Sequence, residues 1–140
     1  KNFKKADIVI MAAAISDFRP KKLSKSKIKK EDCKNKISLL LINNPDILLE
    51  LGKKKGKRIL VGFALETGDF VKNAKNKLKS KNLDMIVLNS ISKKSVPFGE
   101  GLNNYTILCR TGEVEEMKLD KKSFSKTLLD KVETLWYTCL

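Results

Sequence analysis

The residues best suited to chemistry follow directly after a short apolar stretch near the start of the chain. Residues 8–14 are apolar and end in three alanines, and they are followed by a carboxylate, Asp17, an aromatic ring, Phe18, and a guanidinium, Arg19. Lysine then occurs six times between positions 21 and 30. Open α/β sheets bind ligands where buried strands end, and a cationic loop there favours phosphate. The stretch therefore predicts a site for a nucleotide or another phosphorylated ligand.

The composition excludes several other kinds of active site. The chain has no histidine, which excludes a Ser-His-Asp triad, and its three cysteines lack the Cys-x-x-Cys spacing of zinc sites. Neither the Gly-x-x-x-x-Gly-Lys loop nor the Gly-x-Gly-x-x-Gly sequence of nucleotide-binding proteins occurs. Phosphoryl or nucleotidyl transfer stays open, because its catalysis rests mostly on positioning and charge neutralisation, without a side-chain nucleophile.

The positive charge of the chain is concentrated in its first half. Residues 1–60 carry 17 basic and 6 acidic residues, whereas residues 61–140 carry 13 and 10. This excess predicts an anionic partner, but 27 of the 30 basic residues are lysine and many of them suit solvated helix faces. The longest apolar run has eight residues, too few to span a bilayer. We therefore expect neither a nucleic acid nor a membrane as partner, and the cysteine pattern fits a cytoplasmic protein.

Strand and helix signals alternate along most of the chain, which predicts an α/β fold with a parallel sheet. Strands are predicted at residues 7–14, 37–42, 59–64 and 84–88, with a long cationic loop at 15–36. Beyond them, the sequence Thr111-Gly112-Glu113 favours a β-hairpin over residues 105–119, and an amphipathic helix is predicted at 121–137. The whole chain, 1–140, is expected to form a single domain.

Two further helices are predicted between the strands. The first starts at Pro45, with Asn44 as its cap, and ends in lysines before Gly56. The second follows Asp69 and buries an apolar face. Lys77 and Lys81 lie one turn apart along one edge of that face.

The carboxyl ends of parallel strands meet at one edge of a sheet, so the residues that follow each strand are expected together there. These residues are Ala12-Ala13-Ala14 with Asp17, Asn44-Pro45-Asp46, Phe63-Ala64 and Asn89. Lys77 and Lys81 are expected around the same edge. From the residues alone, this arrangement predicts a nucleotide-handling enzyme, and a non-catalytic nucleotide- or nucleic-acid-binding module is the alternative. A steep salt dependence of binding to mixed duplex DNA would favour the module.

Six motifs stand in the order in which one family carries them: Ala-Ala-Ala-Ile-Ser-Asp-Phe-Arg-Pro at 12–20, Lys-Ile-Lys-Lys at 27–30, Asn-Pro-Asp-Ile-Leu at 44–48, Val-Gly-Phe-Ala-Leu-Glu-Thr at 61–67, Ala-x-x-Lys-Leu-x-x-Lys-x-x-Asp at 74–84 and Phe-Gly at 98–99. On these motifs the chain resembles phosphopantothenate–cysteine ligase, also called phosphopantothenoylcysteine synthetase, a family of coenzyme A biosynthesis. The resemblance implies a three-layer, Rossmann-like, mostly parallel sheet with a carboxyl-terminal β-hairpin and helix. In most bacteria this domain is fused to a flavin-dependent decarboxylase.

The resemblance also implies a reaction in two steps. The carboxylate of 4'-phosphopantothenate attacks the α-phosphate of CTP and gives an acyl-cytidylate and pyrophosphate, with Mg²⁺ or Mn²⁺ assisting. The amine of L-cysteine then displaces CMP and forms the amide. The family further implies a homodimer, and FMN is implied only if a decarboxylase domain is fused to the chain.

By the same motifs, the resemblance implies a nucleotide site built from several parts of the chain. The residues that would contact the nucleotide are Met11, Ala12, Ala13, Asp17, Pro45, Asp46, Ile47, Leu48 and Phe63. Lys77 and Lys81 would hold the triphosphate. Lys27, on the flexible loop, would reach the phosphates or the acyl-cytidylate as the catalytic residue. Without the family, these three lysines would be interpreted as solvated charges and Phe63 as a core residue.

Two departures from the family pattern bear on activity. Residues 64–67 are Ala-Leu-Glu-Thr where Ala-Ala-Glu-Thr is commoner, which is a modest change. The amino-terminal portion of the family's domain, with its Ser-Ser-Gly-type loop and an asparagine used on the acyl intermediate, is absent from this sequence. We therefore expect this chain alone to be inactive.

Overall fold

The structure is a computed structural model that describes residues 2–33, 36–66, 70–90 and 101–139. Its strands and α-helices, in chain order, are β1 (Ile8–Met11), β2 (Phe18–Pro20), β3 (Leu41–Asn43), α1 (Ile47–Lys53), β4 (Ile59–Glu66), α2 (Phe70–Ser80), β5 (Met85–Ser90), β6 (Asn103–Cys109), β7 (Val114–Leu119) and α3 (Lys121–Cys139). Short 3₁₀ helices lie at Asn2–Lys5 and Lys30–Cys33. The Phe98-Gly99 motif and Asp69, which precedes the second predicted helix, lie outside the described residues.

The chain divides into two compact units. One, the sheet unit, consists of Lys1–Ala13 and Leu48–Leu140, and the other, the hairpin unit, is Ala14–Ile47. The expectation of a single domain stays a prediction, because compact units of one chain need not fold separately.

Within the described residues, the sheet unit contains one five-stranded sheet in the order β1-β4-β5-β6-β7. β1, β4 and β5 are parallel, and β6 runs antiparallel to both β5 and β7, so every strand except β6 points in the same direction. This confirms the predicted α/β fold with its mostly parallel sheet, its carboxyl-terminal hairpin and its closing helix.

Side chains of successive strand residues point to opposite faces, and each face of this sheet has its own core. On one face, Val61, Val87 and Ile107 pack with Phe124, Leu128 and Val132 of α3. On the other face, Leu60 and Ile86 pack with Ala74 and Leu78 of α2 and with Leu48 of α1. The three predicted layers and the apolar faces of both long helices are therefore confirmed. No helix in the described part of the chain is long and apolar enough to cross a membrane.

The hairpin unit differs from what the sequence predicts. The strand expected at residues 37–42 is not part of the parallel sheet. Instead β3 pairs antiparallel with β2 in a separate two-stranded sheet. β2 lies inside the segment predicted to be entirely loop. The apolar residues of this run are not buried as those of a central strand would be, since Leu40 is 67% exposed.

The start of α1 also differs from its predicted position. The helix begins at Ile47 rather than at Pro45. Asn44 does not cap it: its side-chain amide donates to the carbonyl oxygen of Ser16 at 2.7 Å and accepts from Arg19 at 2.8 Å. The predicted stop is confirmed, because Gly56 has a φ of +59°, in the left-handed region that favours glycine.

A buried ion pair holds the amino-terminal edge of the sheet. Lys55 is only 6% exposed, and its Nζ donates to Asp84 Oδ1. The other oxygen of Asp84 accepts the backbone N–H of Leu60 at 2.8 Å, and Arg110 Nε lies 3.7 Å from Oδ1. A buried charge that loses its partner is strongly destabilising, so these groups depend on one another.

Asp84→Ala should therefore lower the free energy of unfolding by about 3–5 kcal/mol, because it leaves Lys55 buried without its carboxylate. Urea denaturation measures the change. Glu50→Ala is the control, since the Glu50–Lys53 pair is exposed and should be worth less than about 1 kcal/mol. Similar losses for the two variants would contradict the structural role of Asp84.

Candidate functional site

The carboxyl edge of the sheet unit brings together several of the predicted site residues. Met11, at the end of β1, pairs with Gly62 of β4, and Ala12 and Ala13 follow it. Farther along β4, Leu65 pairs with Asn89 of β5. The expectation that these strand ends meet at one edge is confirmed for β1, β4 and β5. For Asn44-Pro45-Asp46, which belong to the hairpin unit, it stays a prediction.

Gly62 is packed closely where β4 approaches this edge. A Cβ at this position would lie 2.9 Å from Leu48 Cδ2 and 2.9 Å from Leu83 Cδ1, so a larger residue would press on both. Phe63 packs instead against the core on the α3 face of the sheet, on the opposite side of β4. The structure thus places Met11 beside Gly62 within the sheet and Leu48 over one face of Gly62, and it gives Phe63 a core contact as well as its place near the edge.

The hairpin unit brings Asp17 beside the segment that precedes α1. The backbone N–H of Asn44 donates to the carbonyl oxygen of Asp17 at 2.8 Å. Arg19 Nη1 holds this end of the hairpin from the side, donating to the carbonyl oxygen of Asn43 at 3.1 Å. Asp17, Pro45 and Asp46 therefore lie together at the end of the β2–β3 ladder.

Lys27 lies in an exposed stretch of the same unit. Residues 21–29 contain neither helix nor strand, and every one of them is exposed. Ser24 Oγ donates to the carbonyl oxygen of Ser26 at 2.6 Å, which forms a local turn. This agrees with the prediction of a polar loop around Lys27, while the role of Lys27 stays a prediction.

Lys77 and Lys81 lie farther from the carboxyl edge than the sequence predicts. α2 connects two parallel strands, so it runs back from the carboxyl end of β4 toward the start of β5. Lys77 lies in the second half of α2, and Lys81 lies just beyond its end. Their expected place around the carboxyl edge was therefore wrong. The two residues are one turn apart, with Lys81 N–H donating to the Lys77 carbonyl oxygen at 2.9 Å, and what they bind stays a prediction.

Three residues that the sequence did not single out fix the position of Lys81. A Cβ added to Gly52 would overlap the carbonyl oxygen of Lys81, so α1 and the end of α2 touch at the backbone. Asn82, with a φ of 54°, donates to the Gly52 carbonyl oxygen at 2.9 Å. Arg110 Nη2 in turn donates to Asn82 Oδ1 at 2.7 Å. The only sequence signal for this contact between α1 and the end of α2 was Asn82, because asparagine tolerates the left-handed conformation and Asn82 follows shortly after the predicted helix.

The titratable groups of the sheet unit with shifted pKa values are not tuned as bases or nucleophiles. Burial, and then the charge of Asp120, raises the pKa of Tyr105, whose ring stacks on Phe124 with centroids 3.6 Å apart. Burial also raises the pKa of the Cys109 thiol, which lowers its thiolate fraction. The described residues contain no group of three His, Cys, Asp or Glu side chains that could hold a metal ion. What these residues can contribute to a reaction is therefore the positioning of a substrate and the neutralisation of its charge.

Comparison with known proteins gives a family match over nearly the whole chain. Residues 1–135 match the family described as DNA/pantothenate metabolism flavoprotein C-terminal domain. A protein of an unknown prokaryotic organism named cysteine/cysteine sulfinic acid decarboxylase is 43% identical over 135 residues, which are 95% of this chain and 37% of that protein. The coenzyme A biosynthesis bifunctional protein CoaBC of Bacillus subtilis (strain 168) is 41% identical over 131 residues, 93% of this chain and 32% of that protein. The chain thus spans about a third of the length of these curated relatives.

Solved structures show the same fold. The C-terminal domain of a coenzyme A biosynthesis bifunctional protein CoaBC superposes with a TM-score of 0.76 at 31% identity, covering 98% of this chain and 58% of that chain. A Cab2 variant in complex with phosphopantothenate-cysteine superposes with a TM-score of 0.72 at 19% identity, covering 98% of this chain and 47% of that chain.

The close contact between Gly52 and Lys81 gives a stability prediction. Gly52→Ala should lower the free energy of unfolding by about 2 kcal/mol or more, although alanine favours helices, because the Lys81 backbone must move. Chemical denaturation measures this, with the exposed neighbour Lys53→Ala as control, expected within about 0.5 kcal/mol. A neutral or stabilising Gly52→Ala would show that the two helices are not in contact here.

Proposed function

The chain belongs to the DNA/pantothenate metabolism flavoprotein C-terminal domain family, and we propose that it forms part of the site of a ligase that joins 4'-phosphopantothenate to L-cysteine in coenzyme A biosynthesis. The observation that carries the proposal is the ordered set of six motifs on this fold. The name of the CoaBC relative and the ligand of the Cab2 variant agree with it. The decarboxylase name of the other relative concerns an activity of that protein, of which this chain spans 37%.

We propose that CTP activates the substrate carboxylate. An oxygen of the carboxylate attacks the α-phosphorus of CTP, the bond to the pyrophosphate oxygen breaks, and an acyl-cytidylate forms. The cysteine amine then attacks the acyl carbon, CMP leaves with the carboxylate oxygen, and the nitrogen loses a proton as the amide forms. Neither step requires a nucleophile from the protein, which agrees with a chain that lacks histidine and has a half-buried Cys109 with a raised pKa.

The proposed contacts divide by chemistry. Small residues at the end of β1, Ala12 and Ala13, leave room for a nucleotide close to the backbone. Asp17, which the hairpin unit places beside the segment that leads into α1, would contact the nucleotide from that unit. The other proposed contacts are Met11, Pro45, Asp46, Ile47, Leu48 and Phe63.

Lysines would supply the charge. We propose from the motif order that Lys27, which lies in an exposed stretch, neutralises the phosphates and the acyl-cytidylate. On the motif order alone, Lys77 and Lys81 would hold the triphosphate, although they lie toward and beyond the end of α2, away from the carboxyl edge. Ammonium groups near a transferring phosphoryl group stabilise the charge that develops in the transition state.

Mg²⁺ or Mn²⁺ would assist the reaction as a companion of the nucleotide. Mg²⁺ is usually bound through one or two carboxylates together with substrate phosphates, and the described residues lack a cluster that would hold it alone. We therefore assign no step to the metal. A cytoplasmic homodimer is proposed from the family alone, with FMN only where a decarboxylase domain is fused.

The role of Lys27 tests the proposed site. In the protein as its gene encodes it, Lys27→Ala should lower kcat for amide formation by about a hundredfold or more, because a phosphate-neutralising charge is lost. The free energy of unfolding should stay within about 0.5 kcal/mol, since Lys27 is exposed.

Two further variants show what the change means. Lys27→Gln should behave as Lys27→Ala does, because only the charge matters, whereas Lys25→Ala should leave kcat nearly unchanged. If Lys27→Ala retains full activity, the loop lysines are solvated charges. If it unfolds the protein, the loop is structural and the site is wrongly placed.

A further inference from the structure

A cleft of about 420 Å³ opens between α2 and the turn of the β6–β7 hairpin, within the sheet unit. Leu78, Leu108 and Val114 form its apolar wall, and Lys75, Lys79 and Arg110 stand around it. Its volume falls within the range of about 300–1,000 Å³ that is usual for small-molecule sites. None of these residues belongs to the proposed nucleotide site.

The cations of the cleft lie on a second edge of α2. Lys75, Leu78 and Lys79 are spaced i, i+3 and i+4, so they share one face of the helix. Lys77 and Lys81 lie on another edge. α2 and the residue after it thus carry two separate pairs of lysines, and the ligase reaction proposed above accounts for only one of them.

The apolar wall combines a buried floor with an accessible side. Leu108 is 2% exposed and forms part of the core that Leu78 also contacts. Val114 pairs with Leu108 across the hairpin and is 43% exposed, so an apolar surface reaches solvent within the cleft. Covering this surface with an apolar group would remove it from water, which is favourable.

The charges around the cleft favour an anion. Lys75 and Lys79 form no ion pair with any carboxylate among the described residues, and Glu113 is the one acidic residue of the lining. Arg110 is held in place by Nε and Nη2, which donate to the Leu83 carbonyl oxygen at 2.9 and 2.8 Å. Its Nη1 takes part in none of the hydrogen bonds between described residues, so it can donate to a ligand.

We propose that this cleft binds a small organic anion, with its apolar body on Leu78, Leu108 and Val114 and its carboxylate or phosphate head between Lys75, Lys79 and Arg110. The site is independent of the ligase reaction, because it shares no residue with the nucleotide contacts. Both head groups use the same charge-assisted hydrogen bonds.

Isothermal titration calorimetry with octyl phosphate and octanoate tests the proposal on the protein as its gene encodes it. Both probes should bind, and the tighter one identifies the preferred head group. Inorganic phosphate lacks the apolar body and octyl glucoside lacks the charge, so each should bind at least about tenfold more weakly than the better probe. No heat with either anion at two temperatures about 15 °C apart, or equal binding of octyl glucoside or inorganic phosphate, would overturn the proposal, because the heat-capacity change of apolar burial makes binding visible at one of them.

Variants locate the binding. Lys75→Gln with Lys79→Gln should weaken the better probe about tenfold, equivalent to about 1.4 kcal/mol. Lys54→Gln with Lys126→Gln removes the same charge from exposed positions outside the cleft, and should change affinity less than about twofold. Val114→Trp, which fills the cleft from an exposed position, should also weaken binding. Equal losses in the two double variants, or unchanged binding in Val114→Trp, would place the anion elsewhere.

Discussion

The carboxylate of Asp84 is the interaction on which the sheet unit depends most. It accepts hydrogen bonds from Lys55 and from the backbone of Leu60, and Arg110 lies 3.7 Å away. It therefore connects the chain after α1, the start of β4, the start of β5 and the end of β6. Because each buried charge is costly without its partner, these elements are held in one arrangement at the amino-terminal edge. The opposite edge is left to small and polar residues such as Ala12 and Asn89, where a ligand can approach.

The same arrangement explains why α2 has cations away from the carboxyl edge. A crossover helix must return to the start of the next strand, so its last turns lie beside the Asp84 edge. There Gly52 allows α1 to touch the Lys81 backbone, and Asn82 and Arg110 complete the contact. The end of α2 is thereby fixed in place, and its lysines project from a rigid element. This rigidity serves both the proposed phosphate contacts and the proposed anion cleft.

The sequence predicted the features that depend on local patterns. Apolar strands predicted the parallel sheet, although the first of them, β1, lies at the sheet edge and is exposed or half-buried rather than buried. The sequence also predicted the apolar face of α2. It failed where contacts between distant residues decide. β2 has three residues, and its Arg19 donates a hydrogen bond to the side chain of Asn44, which lies 25 positions later in the sequence. The Asn44 side chain is used by that contact and by Ser16, so it is not a helix cap. Nothing local paired Lys55 with Asp84, and the individual site residues came from the motif order rather than from periodicity.

The most direct test of the account follows the oxygen atoms of the substrate carboxylate. 4'-Phosphopantothenate labelled with ¹⁸O in its carboxylate is incubated with L-cysteine, CTP, Mg²⁺ and the protein as its gene encodes it, and the products are analysed by mass spectrometry. Attack on the α-phosphorus of CTP predicts CMP that carries one ¹⁸O atom. The pyrophosphate should be unlabelled, and the amide should keep the other carboxylate oxygen in its carbonyl group. Label in inorganic phosphate, with release of CDP, would show attack on the γ-phosphorus and would contradict the acyl-cytidylate.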